Sequence, residues 1–389
     1  MEKILLNIAL LLIATKTGGL ISRRFKMPEV LGALLAGVVL GPMVLHLISY
    51  DENIKLLSDL GVILLMFLAG LETNVDSFKK AGKSSLVIAA MGIMLPLILG
   101  TLSAFLFFKN PMENLFIGVI LTATSVSITV ETLTELGKLN TRPGINILGA
   151  AVIDDVLGLV LISILLGVKN GGSGGSLTLT MAGIGIFCAA GILAIVFLPK
   201  IINKCTKNMR PGRTLLTFAL SLALLAACVA ESVGIAAITG AYLFGLLLSQ
   251  FRHKEYLERN VKAISSGFLS PIFFASVGLE ANLGGFNLKV IFITLAMFAV
   301  AVIGKIAGCG VAARLFRMSR GEATQIGIGM ISRGEVAIIT ANIGLQNNII
   351  SQEVFIPTIL VVLLTTVATP ILLKLVFSHK FENKMRKAA

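Results

Sequence analysis

Long apolar stretches alternate with short polar connections along almost the whole chain. A helix needs about 20 apolar residues to cross roughly 30 Å of hydrocarbon, and about thirteen stretches approach that length. These predicted spans, numbered in chain order, cover 3–22, 28–48, 56–72, 84–108, 112–136, 144–167, 177–200, 214–230, 234–250, 261–279, 289–313, 324–345 and 352–377. The tenth is interrupted by serines and Pro271. The pattern predicts an all-α polytopic membrane protein of about 13 transmembrane helices.

The composition agrees with this prediction and adds an orientation. Hydrophobic residues make up 56% of the chain and charged residues 14%, and the mean hydropathy of +0.94 lies outside the range of soluble domains. The net charge is +13, and most Lys and Arg lie in alternate connections. By the positive-inside rule, we expect a multi-pass protein of the inner (cytoplasmic) membrane, with its N-terminus outside and its C-terminus in the cytoplasm. This bias accounts for the net charge, and no basic face with interleaved aromatic residues indicates a nucleic-acid partner.

Short sequence matches recur at one spacing along the chain. LMFLAGLETN at 65–74 resembles IFFASVGLEAN at 272–282, and GALLAG at 32–37 resembles GAYLFG at 240–245, both at an offset of 208 residues. Because this offset covers seven spans, an odd number, equivalent helices would run in opposite directions. The sequence therefore predicts two inverted-topology repeats, spans 1–6 and 8–13, joined by span 7, with a substrate site near the midplane between them.

Polar residues lie in the middle of four spans. Asp154 and Asp155 lie in span 6, Lys305 in span 11, TATS at 122–125 in span 5 and SRGE at 332–335 in span 12. An Asp or Lys at a helix centre costs about 2.5–3.5 kcal/mol on insertion, so these charges need a partner or a function. Spans 5 and 12 are equivalent in the repeat and are interrupted at the same depth. They are predicted to be a pair of crossing broken helices.

Two adjacent carboxylates and one distant lysine predict a particular chemistry. Neighbouring helix positions project about 100° apart, so Asp154 can face Lys305 while Asp155 faces a water-filled cavity. A carboxylate in such a place can hold a proton or a monovalent cation, but not readily both, and this competition is the simplest basis for cation/proton antiport. A buried salt-bridge network would explain Lys305 and one acid but not the second acid. The spacing of the Cys and His residues indicates no metal or disulfide site, and no cofactor is expected.

Several motifs together resemble a known family. VIDDVLGL, VIGKIAG, LTATSVSIT, SRGEVA, FLAGLE and MPEVLGALLAGVVLGP are similar to motifs of the monovalent cation:proton antiporter superfamily, in its bacterial NapA-like sodium/proton exchanger branch. Glutathione-gated potassium efflux transporters and spore-germination antiporters are related to this branch. The resemblance covers essentially the whole chain. It implies NhaA-like inverted repeats, a homodimer in membrane lipid, and a core that moves like an elevator.

The resemblance also implies a role for each site residue. Asp155 matches the acid that binds the monovalent cation, Asp154 matches the acid that pairs with a lysine, here Lys305, and Thr124 matches the threonine at the break of span 5. The residues that match the family's support of the broken helices are Ser125, Arg333 and Glu335.

The same resemblance divides the chain into five segments. The dimerisation domain is expected to combine 1–80 (spans 1–3) with 211–285 (spans 8–10). The core is expected to combine 81–170 (spans 4–6) with 286–389 (spans 11–13 and a short cytoplasmic tail). Residues 171–210 are the linker with span 7.

We therefore predict a secondary active transporter, not an enzyme, that exchanges cytoplasmic sodium or lithium, with potassium as a further candidate, for external protons in sodium and pH homeostasis. Relatives with this Asp pair and lysine are generally electrogenic, which implies the same here. A cation channel is one alternative, although carboxylates in only one repeat favour alternating access. An intramembrane aspartyl protease is another, although it needs acids on facing helices and a GxGD motif that the chain lacks.

Overall fold

The computed structural model describes residues 2–169, isolated positions between 182 and 193, and residues 211–233, 235–280 and 288–378. All regular structure in these ranges is helical. The helices are α1 (Glu2–Arg24), α2 (Glu29–Leu40), α3 (Glu52–Glu72), α4 (Val75–Ala104), α5 (Pro111–Ile120), α6 (Val126–Glu135), α7 (Arg142–Lys169), α8 (Arg213–Ser232), α9 (Ala237–Leu248), α10 (Lys254–Ile264), α11 (Ser270–Leu279), α12 (Leu288–Leu315), α13 (Arg320–Gly329), α14 (Glu335–Gln346) and α15 (Gln352–Val376).

The predicted all-α membrane class is confirmed. Eight helical stretches in the described residues are long and apolar enough to cross a membrane, and four shorter apolar helices accompany them. Every predicted span overlaps a helix except span 7, at 177–200, which lies outside the described residues apart from isolated positions. The total of thirteen helices stays a prediction.

Spans 5 and 12 are each built from two helices separated by five residues. The first interruption is Leu121–Ser125, between α5 and α6, and the second is Met330–Gly334, between α13 and α14. The two interruptions lie 209 residues apart in the sequence. Each interruption frees backbone groups in the middle of a span, where only protein groups or a bound ion can satisfy them.

A π turn takes the place of the interruption that the serines suggested in span 10. α10 continues through the π turn Ser265–Leu269 directly into α11. The hydroxyl oxygens of Ser265 and Ser270 lie 2.9 Å apart, and both residues are buried. The serines therefore widen this helix locally instead of ending it.

The described residues cluster into two compact units. One unit draws on the ranges 1–54, 81–158 and 274–389, and it contains both interrupted spans. The other draws on 55–80 and 159–273, and its core packs α3 against α8, α9 and α10 through Phe67, Leu71 and Leu257, among others.

Helix backbones touch at glycines, and these contacts recur at a fixed spacing. Gly37 leaves no room for a Cβ against the carbonyl of Ala275, and Gly245 leaves none against the carbonyl of Phe67. Gly245 follows Gly37 by 208 residues, and Phe67 precedes Ala275 by the same number. The same relation links the contact Gly32–Gly18 with Gly240–Ala226 and, at 209 residues, the contact Gly118–Leu97 with Gly327–Ile306. Helix contacts thus recur at the offset of the sequence matches.

Candidate functional site

The centre of the candidate site is an ion pair between α7 and α12. The ammonium nitrogen of Lys305 lies 3.1 Å from each carboxylate oxygen of Asp154. The side chain of Lys305 is completely buried, and 2% of the Asp154 side chain is exposed. Breaking a buried pair by removing one partner costs several kcal/mol, because an uncompensated charge is left behind. The structure therefore joins two predicted site residues that are 151 positions apart in the sequence.

Asp155 follows Asp154 on α7 and is also buried, with 6% of the residue exposed. Its neighbour already uses both carboxylate oxygens on Lys305. The two side chains leave the helix in directions about 100° apart, so α7 presents a second acid beside the ion pair. The site thus has two carboxylates and one ammonium, and the second carboxylate is the group with charge in excess.

Two hydroxyls in the interruptions are buried without a hydrogen-bond partner among the described residues. They are Thr124 Oγ1 in the first interruption and Ser332 Oγ in the second. A buried hydroxyl without a partner costs about 1–3 kcal/mol, so a ligand that supplies a partner is favoured there. Thr124 was expected to be a site residue, whereas Ser332 was noted only as part of the SRGE motif.

The two interruptions contact each other through backbone and side chain. The backbone N–H of Ser125 donates to the carbonyl of Ser332 at 2.7 Å. A Cβ at Gly334 would lie 2.6 Å from Ser125 Oγ, so glycine is needed for this close approach. The hydroxyl of Thr129, on α6, donates to the carbonyl of Gly329 at the end of α13, at 2.8 Å. Ser125 therefore lies where the two broken spans meet.

Arg333 places a buried positive charge on the carbonyls that the first interruption frees. Its guanidinium donates through Nη1 to the carbonyls of Thr122, at 3.0 Å, and Ala123, and through Nη2 to the carbonyl of Ala301, at 3.4 Å. The first two carbonyls follow the C-terminus of α5, where the helix dipole favours a cation. Arg333 thus neutralises the end of a helix from the other broken span.

The backbone of Arg333 is held by α15. Its N–H donates to Thr365 Oγ1 at 3.2 Å, and the hydroxyl of Thr366 donates to its carbonyl at 2.8 Å. Glu335 begins α14, a position that favours an acidic residue because of the helix dipole. The Glu335 side chain lies outside the described residues.

Two further carboxylates were missed by the sequence analysis. Glu135, the last residue of α6, accepts hydrogen bonds from the backbone N–H groups of Glu29, at 2.6 Å, and Val30, at 3.1 Å. Glu113, in the first turn of α5, accepts one from the N–H of Ser351 at 2.8 Å. Each carboxylate therefore satisfies the start of another helix. No local sequence signal marks either contact, because the partners are more than 100 residues away.

Comparison with known proteins agrees with this architecture. Residues 8–379 match the model of a family described as sodium/hydrogen exchanger, transmembrane. The chain is 38% identical over 383 residues to the Na(+)/H(+)-K(+) antiporter GerN of Bacillus cereus, with 98% of each chain covered. It is 36% identical to the Na(+)/H(+) antiporter of Enterococcus hirae, over 97% of this chain and 98% of that one.

A solved structure is similar over nearly the whole length. It is the sodium proton antiporter MjNhaP1 from Methanocaldococcus jannaschii, with a TM-score of 0.70, 18% sequence identity, and 95% of this chain and 96% of that chain covered. At this identity the likeness concerns the fold alone.

Proposed function

The chain belongs to the sodium/hydrogen exchanger family, and we propose that it exchanges cytoplasmic sodium for external protons at Asp155. The observation that carries this proposal is the buried Lys305–Asp154 ion pair with a second buried acid beside it. A proton on Asp155 and a sodium ion beside it compete for one negative charge. Thr124 Oγ1, which has no protein partner in the described residues, is available as a further oxygen ligand.

Lys305 gives the exchange its charge balance. In the proton-loaded state Asp155 carries a proton and Lys305 is an ammonium paired with Asp154. When sodium binds between the two carboxylates, Asp155 releases its proton and Lys305 releases a second one. Two protons then move inward for each sodium that moves outward, so one net charge crosses the membrane in each cycle. The proposed exchange is therefore electrogenic.

Alternating access by an elevator movement follows from the proposed repeats. The recurrence of the glycine contacts and of the interruptions at offsets of 208–209 residues supports NhaA-like inverted repeats. In this proposal the core, 81–170 with 286–389, carries the ion relative to the dimerisation domain, 1–80 with 211–285. The linker at 171–210 completes the thirteen helices. The proposal also includes a homodimer in the inner membrane, with the N-terminus outside.

Potassium is a further candidate substrate. The name of the Bacillus cereus relative includes potassium as well as sodium, and the oxygen ligands available here suit sodium, lithium and potassium alike. The two alternatives are not favoured: the family is one of exchangers and not channels, and Asp154 bonds Lys305 instead of a facing acid, as a protease would need.

The experiment is proton flux in vesicles that contain the purified chain. A pH gradient is set across the vesicle membrane, and sodium, lithium, potassium or choline chloride is added outside. We expect sodium and lithium to collapse the gradient and choline to have no effect, and a response to potassium would extend the substrate range. Flux with choline equal to that with sodium would contradict the proposed exchange. Vesicles with Asp155→Asn are the matched inactive control.

A further inference from the structure

α4 and α12 pack with their backbones in contact on either side of Lys305. Gly308 leaves no room for a Cβ against the carbonyl of Met91, and a Cβ at Gly304 would lie 3.1 Å from Pro96 Cα. These glycines directly precede and closely follow Lys305 on α12. They therefore keep the start of the lysine side chain against α4, and the ammonium must reach Asp154 from there.

Gly92 is the α4 residue that meets this side chain. A Cβ at Gly92 would lie 2.6 Å from Cys309 Sγ, 3.8 Å from Lys305 Nζ and 3.9 Å from Lys305 Cδ. Cys309 is completely buried, and its sulfur lies 3.7 Å from the carbonyl of Ile88, one turn before Gly92. The missing side chain of Gly92 thus leaves the space in which the thiol and the ammonium lie.

We propose that Gly92 is a positioning residue for the Lys305–Asp154 ion pair, and that it acts on transport by keeping the space beside the ammonium open. The inference rests on the proposed function, because Gly92 can affect exchange only if Lys305 takes part in it. Gly92 itself contacts neither the cation nor the proton.

The electrostatic surroundings of Lys305 make this space important. The charged and titratable groups that face the ammonium are Asp154 on α7, Arg333 in the second interruption and Cys309 on α12 itself. Asp154 favours the charged amine, and Arg333 disfavours it. A methyl group at position 92 adds no charge, but it excludes solvent from the ammonium. Desolvation disfavours the charged form of an amine, so the lysine would release its proton at lower pH.

The test compares four variants of the full chain in vesicles. They are Gly92→Ala, Cys309→Ala, the double variant Gly92→Ala/Cys309→Ala, and Gly82→Ala. Gly82 is an exposed glycine of α4 at which a Cβ would meet nothing within 4 Å, so its variant is the matched control. The double variant removes the sulfur that an alanine at position 92 would strike. It therefore keeps the test valid if Gly92→Ala alone fails to fold.

The readout is the pH profile of sodium/proton exchange and the apparent KM for sodium, with the melting temperature in detergent as a folding check. We expect the double variant to melt like Cys309→Ala. Its pH profile should be shifted to lower pH by about half a unit or more relative to Cys309→Ala. The profile of Gly82→Ala should match the wild type.

Two outcomes separate this inference from the proposed function. If wild-type vesicles exchange sodium for protons and the profiles of the double variant and Cys309→Ala coincide, the role of Gly92 is overturned and the exchange stands. If wild-type vesicles show no sodium-dependent proton flux, the proposed function fails and the inference fails with it.

Discussion

The backbone N–H of Ser125 donates to the carbonyl of Ser332 at 2.7 Å, which joins the two interrupted spans at their breaks. The bond satisfies a donor at the start of α6 and an acceptor beyond the end of α13. Both groups would otherwise be unpaired in the middle of a span. Arg333, the next residue, turns its guanidinium to carbonyls of the first interruption. The geometry of the candidate site therefore depends on contacts between the breaks as well as on the acids of α7.

Replacing Asp155 with Asn should abolish exchange while the protein still folds. The amide keeps the size of the side chain but can neither bind a proton in this pH range nor balance a cation's charge. The measurement is sodium-dependent proton flux in vesicles, together with the melting temperature in detergent. Asp154→Asn is the matched comparison and should retain flux with an altered pH dependence. Near-normal flux in Asp155→Asn would show that the ion binds elsewhere.

Lys305→Gln should reduce the coupling of exchange to membrane voltage more than it affects folding. Without the lysine, only Asp155 alternates between proton and cation, and the cycle becomes electrically silent. One net charge is equivalent to about 2.3 kcal/mol for each 100 mV. Vesicles with a potassium diffusion potential clamped by valinomycin measure this directly, with sodium as the transported ion. A wild-type rate that ignores the imposed voltage would rule out electrogenic exchange but not exchange itself.

The same lysine variant should make the stability of the fold depend on pH. With Lys305 replaced by Gln, Asp154 stays buried without its counter-ion and favours its protonated form. Stability is therefore present at low pH and lost as the pH rises. We expect the melting temperature of Lys305→Gln to fall between about pH 6 and pH 9, where an unpaired buried acid can titrate.

The double variant Lys305→Gln/Asp154→Asn is the control for this effect. It has no ionisable group at either position, so its melting temperature should change with pH no more than that of the wild type. The difference between the single and double variants isolates the interaction of the two side chains. An equal pH dependence in both variants would mean that another group is responsible.

Arg333→Gln should destabilise the protein by about 2–4 kcal/mol, because buried carbonyls lose a charged donor. Arg333→Lys should recover only part of this loss, since an ammonium keeps the charge but lacks the planar fork that reaches several carbonyls. Melting temperatures in detergent measure both effects. Arg24→Gln, at an exposed arginine at the end of α1, is the control and should melt like the wild type. A stable Arg333→Gln would contradict the role in neutralising the end of α5.

Glu135→Ala should cost about 0.5–1 kcal/mol, the range of a lost helix cap at an accessible site. The backbone N–H groups of Glu29 and Val30 would lose their carboxylate acceptor. Glu135→Gln keeps one acceptor oxygen and should lose less. Thermal unfolding in detergent, compared with Lys138→Ala near the same connection, checks the order of the three variants. Equal stability of Glu135→Ala and the wild type would show that water replaces the cap.

Most of the helices could be predicted from the sequence, since a span of apolar residues is a local property of the chain. The serines of span 10 were harder to interpret, because a π turn and a broken helix share the same polar signal. The two interruptions were also predicted, since polar residues such as Thr124 and Arg333 have no reason to lie at mid-span in an intact helix. Hydropathy and spacing carry this information without any knowledge of tertiary contacts.

The partners of individual side chains were less accessible. The sequence suggested that Lys305 pairs with an acid, because each buried charge needs compensation and few charges lie at that depth. By contrast, it assigned Arg333 only to its own break, whereas the guanidinium contacts carbonyls of the other one. Backbone carbonyls have no signature in the amino-acid sequence, so this partner could not be recognised.

The sequence by itself determined that the chain is a helical membrane protein with two broken spans and two acids at the midplane, since apolar length and buried charge are read residue by residue. Only the tertiary structure decided that Gly92 borders the ammonium of Lys305, that Glu135 satisfies the start of α2, and that Ser125 bonds Ser332. These contacts join residues that are distant along the chain. Each depends on how closely two helices approach, which the packing of the whole fold determines.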